Sequence, residues 1–134
     1  MSEIEPSLLE AYQNSIITVH LETGSFIASP KMGEIALPDQ LLPFTWIITA
    51  HNPGSRPLPL DTNNKRQEAL WVALRELTGA KAYPAVGSSV SGDWSEASIA
   101  VTGVDFDVIA EIGRSFEQNA IYRLDSQGCS VALL

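Results

Sequence analysis

The β-branched and aromatic residues of the chain cluster into short runs that predict strands. The strongest run, FTWIITA at 44–50, has apolar groups on both faces, which predicts an interior strand. Weaker runs, GSFIAS at 24–29 and GEIAL at 33–37, are candidates for short edge strands between prolines. The other predicted strands are 15–21, 83–90 (with a candidate bulge at Gly87), 97–104, 119–124 and 129–134.

Three segments have patterns that predict helices. The first, 7–14, follows Pro6, a residue that suits a helix start. The second is capped by Asp61 or Thr62, ends at Gly79 and has an apolar stripe at Leu70, Ala73, Leu74 and Leu77. The third is capped by Asp105 and has its stripe at Ile109, Ile112, Gly113 and Phe116.

From residue 45 onward the predicted elements follow the order β-α-β-β-α-β, which is typical of ferredoxin-like folds. We therefore expect an α+β protein with a mainly antiparallel sheet and two helices packed on one face. Extra N-terminal and C-terminal strands would extend this sheet. The expected organisation is a single domain, 1–134, with its core at 44–124 and an N-terminal helix and strand extension at 1–43.

Composition and charge narrow the classes of function. The chain has 134 residues, of which 45% are hydrophobic, and this fits one globular domain. Its net charge is −8, with 8 Lys and Arg against 16 Asp and Glu, which argues against binding to nucleic acid or to an anionic membrane. The N-terminal residues are acidic and no apolar run approaches about 20 residues, so we expect a cytoplasmic protein.

Familiar catalytic and metal-binding patterns are absent from the sequence. The single cysteine, Cys129, excludes an internal disulfide and a cysteine-rich zinc site. His20 lies within a predicted strand, and His51 is interpreted as a capping or exposed residue at a strand end. The serines of VGSSVSGDWS form neither a nucleophile elbow nor a phosphate-binding loop. These patterns indicate no metal or cofactor, and they leave any catalytic residue unknown.

Polar residues instead gather where predicted strands meet helices. Amide hydrogens at the start of a helix favour an anion, so this region is a candidate ligand site. In the alternative interpretation the same residues only hold loops together: Asn52 forms a turn with Pro53, Asn63 caps a helix and Glu96 pairs with Arg66. The candidate ligand-binding residues are Asn52, Asn63, Arg66, Trp94, Glu96, Gln118 and Asn119.

Four segments that contain these residues, ITAHNP, NNKRQEAL, DWSEASIAVTG and FEQNAI, resemble the motifs of a small bacterial family of unknown function. The family pattern is roughly ITA-aromatic-NP, N-x-x-R-x-x-x-L, W-x-E-x-S and F-x-QNA, and the resemblance covers about 44–124. His51 replaces the usual aromatic residue, so the resemblance implies packing or stacking at that position. It implies no activity. The matching positions are Asn52, Pro53, Asn63, Arg66, Leu70, Trp94, Glu96, Gly103, Gln118 and Asn119.

Three functions are consistent with the sequence. We favour binding of a small polar or anionic ligand at the strand–helix junctions, with Arg66 as a planar donor and Trp94 as an apolar wall. A protein-interaction or inhibitor-type domain would use the acidic surface and open sheet edges. A hydrolase or lyase would use Glu96 as general base and Arg66 to hold the substrate. Whether the protein is an enzyme stays open at this point.

Overall fold

The computed structural model describes residues 5–134, so the first four residues of the predicted N-terminal extension lie outside the described part of the chain. Three helices and seven strands follow one another along it. The helices are α1 (Pro6–Gln13), α2 (Leu60–Arg75) and α3 (Phe106–Ser115). The strands are β1 (Ile16–Leu21), β2 (Gly24–Ala28), β3 (Phe44–Ile48), β4 (Lys81–Ser88), β5 (Ser95–Thr102), β6 (Ala120–Asp125) and β7 (Gly128–Leu133).

All seven strands form one sheet in the order β2-β1-β4-β5-β3-β6-β7, and every neighbouring pair is antiparallel. The predicted α+β class with an antiparallel sheet is therefore confirmed. β3 lies between β5 and β6, which explains why its sequence is apolar on both faces. The N-terminal strands join the sheet through β4, and the C-terminal strand joins it through β6.

The sheet separates two hydrophobic cores. On one face, α2 and α3 pack against the sheet through residues that include Ile48, Leu70 and Ile109. On the other face, Ile47 packs with Leu41 and with residues of β1, β4 and β5. Ile47 and Ile48 are each only 2% exposed, and burial of each side chain contributes about 2 kcal/mol to folding.

The predicted strand ends lie within two residues of the observed ones, except in the N-terminal third. The segment 33–37 forms no strand; its apolar residues Ile35 and Leu37 pack over the second core instead. Gly87 forms no bulge either, because β4 pairs with β5 in continuous register from Lys81 to Ser88. β2 does form, at the edge of the sheet.

The predicted helix caps are not observed. α2 begins at Leu60, after Pro59, and neither Asp61 nor Thr62 precedes it as a cap. Asp105 does stand directly before α3, but its side chain makes no capping hydrogen bond. The start of α2 is instead preceded by Pro59, whose φ of −56° is close to a helical value, and neither helix has a side-chain cap.

Gly103 ends β5 in a conformation that favours glycine. Its φ is 76°, and an added Cβ would lie 2.5 Å from the carbonyl oxygen of Gly79. The turn after β5 therefore lies against the segment that follows α2, and a side chain at position 103 would not fit there.

α1 packs on the face opposite to α2 and α3. The ring of Tyr12 meets that of Tyr122 edge-on, with centroids 6.2 Å apart, and the Tyr122 hydroxyl donates to the carbonyl oxygen of Tyr12 at 3.2 Å. Across residues 5–134, every helix is too short or too polar to span a bilayer.

Candidate functional site

A cavity of about 260 Å³ lies between α1 and the sheet, where β3 ends and where β5 and β6 begin. We call it the junction cavity. Leu8, Ala11, Ile47 and Ala120 give it an apolar lining. Its polar lining includes Tyr12, Ser15, His51, Asn52, Trp94, Glu96, Ser98, Gln118 and Tyr122.

Asn52 is the centre of the hydrogen bonds below the cavity. It follows β3 with a φ of 49°, a left-handed conformation that asparagine tolerates. Its backbone amide donates to Asn63 Oδ1 at 2.9 Å, and its own Oδ1 accepts from Asn63 Nδ2 at 2.8 Å and from the Leu58 amide at 3.0 Å. Its Nδ2 donates to Glu96 Oε2 at 2.7 Å. Asn52 therefore fastens the loop after β3 to both α2 and β5.

These contacts correct the alternative interpretation of the sequence. Asn63 lies inside α2 and is buried, so it does not cap the helix. Asn52 Oδ1 accepts from Leu58, six residues on, rather than closing a short turn with Pro53. Glu96 is paired with Asn52 and not with Arg66. The loops are indeed held together, although by different partners.

Gln67 is a buried polar residue that the sequence interpretation missed. Its Oε1 accepts from the Ala50 amide at 2.8 Å, and its Nε2 donates to the Ala97 carbonyl at 3.0 Å. Asn63 and Gln67 continue the buried stripe of Leu70 and Leu74 toward the start of α2. Their i, i+4 spacing on that stripe is the signal that could have revealed them.

Arg66 lies beside this layer and is directed at the backbone. Its Nε donates to the Ala50 carbonyl at 2.8 Å, and its Nη2 donates to the Phe116 carbonyl at 2.5 Å. The guanidinium also lies over the Phe116 ring, 5.9 Å from its centroid. Arg66 thus joins the end of β3 to the end of α3, outside the wall of the junction cavity.

Glu96 contributes a partly buried carboxylate to the cavity wall. Burial raises the pKa of Glu96, and the hydrogen bond from Asn52 partly opposes that rise. Within residues 5–134 no donor pairs with its second oxygen, Oε1. The carboxylate therefore keeps one oxygen that can accept a further hydrogen bond.

His51 is buried rather than exposed, so the expected capping or exposed role is wrong. The residue is 6% exposed, and its Nε2 is buried without a hydrogen-bond partner in the described chain. Burial also lowers the pKa of His51, which keeps the imidazole neutral near pH 7. Its position in the wall agrees with the packing site implied by the family resemblance.

Gln118 and Asn119 occupy neighbouring but different positions. Gln118 lines the junction cavity, and its Nε2 donates to the carbonyls of His51 at 3.0 Å and Phe116 at 3.3 Å. Asn119 lines an adjoining open groove beside α1, where its Nδ2 donates to Ser55 Oγ at 2.9 Å. Ser55 in turn shares a hydrogen bond with the Tyr12 hydroxyl, and Ser55 lines both the groove and the cavity.

The two tyrosines of the cavity also escaped the sequence interpretation. Burial raises the pKa of Tyr12 and that of Tyr122, so both stay protonated at physiological pH. Trp94, which was predicted, is 40% exposed. Tyr12 and Tyr122 are separated by more than a hundred residues, and only the packing of α1 on β6 brings them together.

The structure brings four of the seven predicted residues to one cavity: Asn52, Trp94, Glu96 and Gln118. Asn63 and Arg66 form part of the layer that supports them, and Asn119 lies in the adjoining groove. In the described part of the chain, no group of three or more histidine, cysteine, aspartate or glutamate side chains is placed to hold a metal ion.

Comparison with known proteins agrees with the resemblance seen in the sequence. No curated protein and no solved structure matches the chain. One family profile matches residues 48–121, which contain all seven predicted site residues. Since this match covers more than half of the 134 residues, the chain belongs to the DUF3293 family, which is described as a protein of unknown function.

Proposed function

We propose that the protein binds a small polar ligand in the junction cavity. The observation that carries this proposal is that His51 lines the cavity while its buried Nε2 has no hydrogen-bond partner within residues 5–134. Most buried polar groups of folded proteins are paired, and a buried group left unpaired costs about 1–3 kcal/mol. A bound ligand that pairs with Nε2 would remove this cost.

The chemistry of the wall supports a polar ligand more than an anion. Arg66, the expected anion donor, is already directed at two backbone carbonyls. The described residues that line the cavity include the carboxylate of Glu96 but neither lysine nor arginine. We therefore retain the polar ligand of the sequence-based hypothesis and give up the anionic one.

A variant that fills the cavity tests this proposal. Gly87 lines the cavity with an ordinary φ, and a Cβ there would make only normal contacts, 3.7 Å from Ser98 Oγ and 3.8 Å from Ile17 Cδ1. Gly87→Val should therefore fold and occlude the cavity. The matched control is Gly33→Val, since Gly33 lies in an exposed segment with open space around its Cβ.

The experiment is a screen of small polar molecules by two-dimensional NMR on the wild type and both variants. We expect some compounds to shift the amides of residues 47–52 and 94–98 in the wild type and in Gly33→Val, but not in Gly87→Val. A set of compounds that bind Gly87→Val as well as the wild type would show that the junction cavity is not the site.

Glu96 supports a second candidate, a hydrolase or lyase with this carboxylate as general base. Its burial, its raised pKa and its Oε1, which has no donor within residues 5–134, suit that role. A screen of ester and amide substrates tests it: turnover that falls with decreasing pH and that disappears in Glu96→Gln would support the enzyme, and turnover unchanged in that variant would contradict it. The protein-interaction alternative stays a prediction.

We also infer a ferredoxin-like arrangement for the segment from β3 to β6. Its four strands follow the order β6-β3-β5-β4, with α2 and α3 on the same face. These two observations support a pair of interleaved β-α-β units. An experimental structure with α2 and α3 on opposite faces would contradict the assignment.

A further inference from the structure

We infer that the ligand of the junction cavity is a small organic cation: a primary ammonium or guanidinium group on a short, partly apolar skeleton. This inference rests on the proposed function and specifies its ligand. It follows from the hydrogen-bonding capacity that the protein leaves unused in the cavity wall, from the charge of that wall and from the size of the space.

The Trp94 indole N–H and the Ser95 hydroxyl have no partner within residues 5–134, but most of the other donors of the wall are already used by the protein. Asn52 Nδ2 donates to Glu96, and Gln118 Nε2 donates to two backbone carbonyls. The hydroxyls of Ser15, Thr49 and Tyr122 likewise donate to carbonyl oxygens, at 2.8, 2.7 and 3.2 Å. A ligand that offers mainly acceptors would therefore find few partners.

The acceptors of the wall are available instead. In the described chain no group donates to Glu96 Oε1 or to Gln118 Oε1. His51 lines the same cavity, and a turn of its ring that brings the buried Nε2 to the cavity would add a third acceptor, since a neutral imidazole can accept at Nε2 when Nδ1 carries the proton. An ammonium has three N–H donors and a guanidinium has five, so either group can meet several of these acceptors together.

The charge of the wall favours a cation as well. Glu96 supplies a negative charge that burial penalises, and a positively charged ligand would offset this penalty by pairing with it. The Trp94 ring at the wall can also attract a cation through its face. The net charge of −8 would raise the local concentration of cations around the protein.

The size of the cavity limits the skeleton. A volume of about 260 Å³ accommodates on the order of ten non-hydrogen atoms. Leu8, Ala11 and Ile47 provide an apolar lining beside the acceptors. A short alkyl chain or a single ring therefore fits better than a sugar or a nucleotide.

Two sets of matched compounds test the inference: benzylamine, benzyl alcohol and benzoate, and butylamine, butanol and butanoate. Within each set the skeleton is nearly constant while the charge changes. Calorimetric titration of the full chain at about pH 8 keeps Glu96 ionised and the amines protonated. We expect at least one amine to bind about tenfold more tightly than its alcohol, and neither carboxylate to bind.

Two variants locate the effect. Glu96→Gln should weaken amine binding about tenfold and leave alcohol binding unchanged, because it removes the charge but keeps a side-chain oxygen. Glu111→Gln, on the exposed surface of α3, is the control and should bind the amines as the wild type does.

The outcomes separate this inference from the proposed function. Alcohols or carboxylates that bind as tightly as the amines, and that are blocked by Gly87→Val, would overturn the cation inference while supporting a ligand site. Failure of both amines to bind would also overturn the cation inference. The NMR screen of the wild type and Gly87→Val would still test the proposed ligand site independently. Amine binding that is unchanged in Glu96→Gln would contradict the inference directly.

Discussion

Two sets of buried or partly buried polar residues meet near the end of β3, and they differ in which of their polar atoms have a hydrogen-bond partner in the protein. We call Asn63, Arg66 and Gln67 the support layer: their side chains bind loop backbone or Asn52. The cavity wall contains His51 and Glu96, whose Nε2 and Oε1 have no protein partner within residues 5–134. The residue types alone do not distinguish the two sets, since both consist of polar or charged side chains.

This difference shows how to separate structural from ligand-binding polar residues. A buried polar group that satisfies the backbone stabilises the fold, and its loss should be measured as a loss of stability. A polar group left unpaired beside a cavity contributes less to folding, and its loss should be measured as a loss of binding. The predictions below test that separation, from the largest expected effect to the smallest.

Gln67→Met should cause the largest loss of stability, about 4 kcal/mol. The variant keeps the volume of the side chain but leaves the buried Ala50 amide without its partner, which costs up to about 3 kcal/mol. It also removes one of the two side-chain donors to the Ala97 carbonyl, which keeps Thr49 Oγ1, and a lost hydrogen bond costs about 1 kcal/mol. Urea denaturation measures the change. Glu68→Met on the exposed side of α2 is the control and should stay within about 0.5 kcal/mol; an equal loss in both variants would contradict a special role for Gln67.

Asn52→Asp should destabilise the protein by about 3 kcal/mol at neutral pH. The new carboxylate would replace a donor that lies 2.7 Å from Glu96 Oε2, in a region that also contains His51, Tyr12 and Tyr122. At acid pH a shared proton restores a donor, so the loss should shrink as the pH falls. Denaturation midpoints measured from neutral to acid pH test this expectation, with Asn64→Asp as the exposed control. A loss of stability in Asn52→Asp that does not change with pH would contradict it.

Arg66→Ala should reduce stability by about 2 kcal/mol, since two charge-assisted hydrogen bonds to the Ala50 and Phe116 carbonyls are lost. Lys65→Ala, an exposed cation on the same helix, provides the control for the change in net charge. Thermal and urea denaturation should separate the two variants clearly. Equal stability of the two would show that Arg66 does not support the loop.

Glu96→Gln should be the smallest change and should have the opposite sign. Because burial raises the pKa of Glu96 in the folded protein, the contribution of Glu96 to stability is present below its ordinary pKa of 4.5 and is lost as the pH rises past the folded value. The variant should therefore melt above the wild type at neutral pH and approach it in acid. A variant that melts below the wild type at neutral pH would contradict this expectation.

The sequence predicted the positions of the helices and strands better than the contacts that individual side chains make. The alternating and 3.6-residue patterns located the strands and helices because burial of apolar side chains sets those periods. The Asp61 or Thr62 cap and the 33–37 strand were wrong: α2 begins directly after Pro59, and Ile35 packs over the second core instead of pairing in the sheet. Asp105 does stand at the start of α3, although its side chain makes no capping hydrogen bond. With α2 starting at Leu60, Asn63 and Gln67 lie on the buried face of the helix.

The sequence predicted only some of the residues of the site, because the contacts between distant segments cannot be read from local patterns. Family-like motifs selected Asn52, Glu96 and Gln118, which do reach one cavity. Nothing in the sequence distinguished them from Arg66, whose partners are backbone carbonyls from two distant segments. Tyr12 was missed because α1 reaches the cavity only through tertiary packing on β6.

The most direct test of the separation between cavity wall and support layer is the affinity for benzylamine of Arg66→Ala and Glu96→Gln, measured side by side by calorimetry on folded protein. We expect Arg66→Ala to keep the wild-type affinity although it is less stable. We expect Glu96→Gln to bind about tenfold more weakly although it is more stable. The reverse result, with affinity lost in Arg66→Ala and kept in Glu96→Gln, would contradict this assignment of the two residues.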